Sequence, residues 1–185
     1  MSIPDFTSYG LTVQPVPQKA GWFCGPVIDW EQREEGEKLA ARLRNCPAAI
    51  QFQVMFGLLD EDQGYRIYVT PLVSVRELVE AFRVGEHGAQ SYCMNAAKTI
   101  ERTATRLEAI QKICPFTVTF VNNGALHAEF TRKLTESDAS KIEDLFPIDD
   151  AIKDGLDGYV SEWDGEGPIL APRLLREQSI QLWWD

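Results

Sequence analysis

The stretch AAIQFQVMFGL, Ala48 to Leu58, decides the fold. Ala48, Ile50, Phe52, Val54 and Phe56 share one face of an extended chain, and Gln51 and Gln53 take the other. A period of two over this length marks a half-buried strand rather than a helix. Upstream, Asp29 is placed to cap a helix, with Gln32 three residues on to complete a capping box. Leu39, Ala40 and Leu43 give that helix an apolar stripe, and it runs to about Asn45, where Cys46-Pro47 stops it. Downstream, the polar turn from Asp60 to Gly64 leads to a second alternating run, Tyr65 to Thr70. The two runs read as an antiparallel hairpin.

The same grammar recurs. Ser74 and Glu77 have the S-x-x-E spacing that opens a short helix to about Arg83. A long helix is expected over 89–113, with Tyr92, Ala96, Ala97, Ile100, Ala104, Leu107 and Ile110 on its apolar face. Phe116, Val118 and Phe120 alternate after Cys114-Pro115. Asn122-Asn123-Gly124 marks a tight turn, and Ala125 to Phe130 returns. A further helix is expected from Thr135 to Leu145, capped by Thr135 or Ser137 and closed before Pro147. Both hairpins are entered through Cys-Pro. At the offset between these pairs, Ile50 falls on Val118 and Phe52 on Phe120. The match is either coincidence or the trace of two pseudo-repeated αββ units.

These elements predict an α+β fold over residues 1–185 as a single domain: an antiparallel sheet of two β-hairpins packed against the long helix. Ile100, Leu107 and Ile110 are expected to face Ile50, Phe52, Val118 and Phe120. Residues 1–20 read as an extended arm whose Pro15 and Pro17 forbid a central strand. Residues 143–168 are an acidic, turn-rich segment, and 178–184 a C-terminal strand.

Charge narrows the function. With 18 Lys and Arg against 28 Asp and Glu, the chain carries −10. That opposes nucleic-acid binding and docking on an anionic membrane. No run reaches the ~18 apolar residues needed to span a bilayer, and no secretory signal is visible at the N-terminus. Four cysteines without a C-x-x-C pair read as reduced and structural, which suits the cytoplasm.

Chemistry is harder to find. His127-Ala-Glu129 has the local form of a zinc deaminase motif, but no cysteine follows Cys114 to supply the other ligands. Cys46 and Cys114 end helices, where the dipole disfavours a thiolate. No phosphate loop, nucleophile elbow or calcium loop is present. Lys98, Arg102 and Arg106 form a basic ridge, expected to pair with Glu101 and Glu108. No catalytic residue, metal or cofactor is assigned, and the balance falls against an enzyme.

What remains is the run from Glu143 to Glu166, with nine carboxylates against Lys153. Asp154, Asp157, Tyr159, Glu162, Trp163, Asp164 and Glu166 are the candidate protein-binding residues, because charge steers encounter and aromatic rings anchor. The expectation is a non-enzymatic acidic module that masks a basic protein partner. It would act as an inhibitor, immunity protein or chaperone-like protein of bacteria or phages, and a homodimer is compatible with this. The α-β-β-α-β-β-α order is similar to that of type III secretion chaperone folds, in architecture and without a shared motif. The alternative is a small enzyme or ligand receptor with a pocket between the long helix and the sheet.

Overall fold

The computed structural model describes residues 5–17, 19–59, 64–91, 95–146 and 171–183. The fold mixes helices with a seven-stranded sheet, ordered β1-β2-β4-β3-β5-β6-β7. The chain divides into two compact units, Met1–Ser74 with Thr119–Val121, and Val75–Val118 with Asn122–Asp185.

The first unit holds β1 (Gln14–Pro15), β2 (Phe23–Cys24), β3 (Phe52–Gly57), β4 (Arg66–Pro71), the end of β5 (Phe116–Val121) and α1 (Arg33–Arg44). β3 and β4 form the expected hairpin, in register from Phe52 opposite Pro71 to Gly57 opposite Arg66. The sheet is not wholly antiparallel, however. β3 and β5 run parallel, with Phe56 beside Phe120 and Gly57 beside Val121. Pro15 lies on an edge strand, where its missing N–H costs no ladder bond. Phe6, Leu11 and Val16 of the N-terminal residues are buried.

Two expectations for β3 fail for physical reasons. Pro47 opens a 3-10 turn, Pro47–Ala49, so the strand begins only at Phe52. Ile50, expected in the core, is 78 % exposed, whereas Val118 at the supposed repeat position is buried. The strand is also not half-buried. Val54, Met55 and Phe56 are all buried, as suits a strand with a neighbour on each edge.

The second unit holds the start of β5, β6 (Ala125–Phe130), β7 (Ser179–Trp183), α2 (Val75–Phe82), α3 (Glu86–Ser91), α4 (Ala96–Ile113), α5 (Glu136–Glu143) and α6 (Ala171–Glu177). β7 pairs antiparallel with β6 from Ala125–Trp183 to Glu129–Ser179. Ile180 and Leu182 are buried, while Gln181 is exposed.

The long helix is shorter than expected. Asn95 lies between α3 and α4, and its side chain accepts the Lys98 N–H at 3.1 Å, capping α4. Its buried face contains Ala104, Leu107 and Ile110 but turns toward Thr99 and Thr103; Ala97 is exposed. Glu101 and Glu108, beside the basic ridge in sequence, bind Arg76 of α2 at 2.6 and 2.8 Å. Arg106 sits over the Phe146 ring at 5.2 Å.

Thr135 caps α5 in a reciprocal box with Asp138. Arg132 then joins Asp138, at 2.7 Å, to the Ile113 carbonyl at the end of α4, at 2.9 Å. A cation there also complements the helix dipole.

Candidate functional site

The expected binding residues Asp154, Asp157, Tyr159, Glu162, Trp163, Asp164 and Glu166 lie outside the described residues. Within the described part of the first unit, one surface combines an exposed large aromatic ring with concentrated charge. It is built where the chain enters α1.

Asp29 takes the extended N-cap conformation of a 3-10 turn, Trp30–Gln32, that leads into α1. Its side chain makes no capping bond, contrary to the expected Asp29–Gln32 box. The entry is fixed by backbone bonds. The Ile28 N–H donates to the Tyr65 carbonyl at 2.8 Å, and the Gly25 N–H to the Ile67 carbonyl at 2.9 Å. The Arg66 guanidinium donates to the Gly25 carbonyl at 2.9 Å. Gly64 has φ +75°, and a Cβ there would lie 2.8 Å from Val27, so the turn before Tyr65 requires glycine.

Trp30 stands on this base and is 62 % exposed. Tyr65 backs it at 5.5 Å between ring centroids, tilted by 45°. Tyr65 in turn stacks on Phe56 and meets Phe120 at 6.1 Å. The rings form a ladder from the core to the surface, with Trp30 at its exposed end. Burial pushes the Tyr65 phenol up, with Glu37 acting in the same direction and Arg33 opposing. It therefore remains a neutral ring support at ordinary pH.

Arg33 covers part of the indole, its guanidinium carbon 4.7 Å from the ring centroid. Its Nε pairs with Glu37 at 3.1 Å. Along the same entry, Asp29, Glu31, Glu34 and Glu35 are exposed. Lys38 pairs with Glu34 at 2.8 Å and Glu35 at 3.1 Å. Residues 29–38 thus carry five carboxylates, one arginine and one lysine on the stretch that holds the exposed indole. Such a surface attracts cations through its field and through the negative face of the ring.

The sequence reading passed over Trp30, taking this stretch only as a helix entry. The legible signal was a tryptophan directly between Asp29 and Glu31, where a buried anchor is not expected.

The other candidates are placed plainly. His127 and Glu129 lie on β6 opposite Gln181 and Ser179. Cys114 is buried, and burial pushes its thiol up. Among the described residues, no group of three or more His, Cys, Asp or Glu could hold a metal ion, and no helix is long and apolar enough to cross a membrane. Compared with known proteins, the chain matches no family model, no curated protein sequence and no solved structure.

Proposed function

We propose that the protein is a non-enzymatic, acidic protein-binding module that masks a basic partner in the cytoplasm, in the manner of an inhibitor, immunity protein or chaperone-like protein of bacteria or phages. The observation that carries the reading is Trp30: a large ring, backed by Tyr65 and 62 % exposed, on a helix entry rich in carboxylates. Interface anchors are enriched in tryptophan, and complementary charge accelerates encounter. The sequence adds a second acidic run, Glu143 to Glu166, with Tyr159 and Trp163 inside it. In this reading that run contributes to steering and to contact through Asp154, Asp157, Tyr159, Glu162, Trp163, Asp164 and Glu166. Within the second unit, the same proposal has α4 cover the start of β5 through Leu107 and Ile110.

Selection from a random peptide display library on the immobilised full chain tests this. The recovered peptides should carry net positive charge, and their binding should weaken as salt rises. Recovery of neutral or acidic peptides, bound equally well at high salt, would overturn the proposal.

A further inference from the structure

We infer that Trp30 receives an arginine or lysine side chain of the partner on the ring face that Arg33 now holds, so that Arg33 is a built-in competitor at the anchor. The inference rests on the basic-partner reading above and names the contact that this reading leaves open.

Three features of the surface point to a cation rather than an apolar side chain. The ring already carries one: Arg33 lies 4.7 Å from its centroid, which shows the geometry that this face accepts. Arg33 and Glu37 pair at 3.1 Å with both side chains about two-fifths exposed, so Arg33 has a carboxylate partner apart from the ring and its movement off the indole costs little. Asp29 and Glu31, one residue to either side of Trp30, are exposed carboxylates suited to hydrogen-bonding an incoming guanidinium or ammonium. Tyr65, stacked on Phe56, meets the same ring at 5.5 Å between centroids. On the face that Arg33 covers, occupancy is a contest between an internal and an external cation.

A competitor on the anchor has a testable signature. Arg33→Met should tighten binding of a short glycine-serine peptide bearing arginines by about two- to fivefold, the scale of one exposed cation–π contact. Removing a positive charge anywhere nearby also helps a basic ligand, so Lys38→Met is the control; it removes the same charge from the same helix, at a lysine that pairs with Glu34 and Glu35. The gain from Arg33→Met should exceed that from Lys38→Met, and should vanish in a Trp30→Ala background. Trp30 is mostly exposed, so its removal leaves the fold intact, and Trp30→Phe should retain part of the binding. A citrulline peptide of the same length should bind far more weakly than the arginine peptide.

The measurement is fluorescence anisotropy of labelled peptide with the full chain at low salt. Equal gains from Arg33→Met and Lys38→Met, or a gain that persists in Trp30→Ala, would overturn the contact while leaving the basic-partner reading standing. Failure of the arginine peptide to bind the wild-type chain more tightly than an aspartate peptide would overturn both.

Discussion

Phe56 and Tyr65 stack with ring planes 7° apart and centroids separated by 5.4 Å. The pair ties the C-terminal end of β3 to the residue that backs Trp30. Gly36 lies close against the Phe56 ring: a Cβ there would come within 2.6 Å of that ring and 3.0 Å of Ile28. Alanine at a helix interior gains up to about 1 kcal/mol over glycine. Overpacking against a fully buried ring costs about 1–3 kcal/mol. The second term should win, so Gly36→Ala should destabilise the protein by about 1 kcal/mol in urea unfolding. A stabilised variant would show that the ring can give way.

Leu107 and Ile50 separate core from surface. Leu107 is fully buried in α4, and Leu107→Ala should cost about 2–5 kcal/mol. Ile50, 78 % exposed, should tolerate alanine within about 0.5 kcal/mol. Comparable losses for the two variants would contradict the described burial.

Acid should weaken the fold through its paired carboxylates. Hydrogen bonds from Arg132 and then Thr135 hold the Asp138 carboxyl far below its ordinary range. Hydrogen bonds from Arg76 lower the Glu108 carboxyl, and those from Arg83 lower that of Glu86. A group depressed in the folded state stabilises it above the unfolded pKa, about 4, and loses that contribution as pH falls toward the folded value. Asp138→Asn should therefore be less stable than wild type at pH near 7, with the gap closing below about pH 4. A gap that stays constant down the pH series would show that the ion pair contributes nothing.

Cys24, Cys46 and Cys114 are free and buried. Burial pushes the Cys114 thiol up, against the opposing effect of Arg132. Alkylation followed by mass spectrometry should leave all three unmodified in the native protein and label them in denaturant. Rapid native labelling of Cys114 would place it at an accessible surface.

Much of the architecture could be read from local pattern. The alternations at 48–58 and 65–70 pointed to the β3–β4 pair, and Thr135, one of two candidate caps, does cap α5. What escaped depends on distant partners or on local competition. Proline at 47 could have led straight into a strand, as at 115, but instead turned the chain through a 3-10 step and exposed Ile50. Thr99 and Thr103 are polar in any periodicity count, yet their methyl groups suit a buried helix face, so the face of α4 was read slightly rotated. The parallel β3–β5 pair joins residues far apart in sequence and leaves no local trace. α6 was missed, although Pro172 near its start is a helix-entry signal. The acidic run was legible as composition, whereas the Trp30 surface emerged only once Tyr65 and Phe56 were seen beneath it.

The central claim, capture of a basic partner by an acidic surface, is tested most directly by the salt dependence of association. A labelled basic peptide recovered by display would be mixed with the full chain in stopped flow across a salt series. The account predicts that the wild-type on-rate falls by about tenfold or more from low to high salt. With Asp154, Asp157, Asp164 and Glu166 replaced by Asn or Gln, the rate should start lower and depend less on salt. A wild-type on-rate that stays flat across the series would contradict the claim.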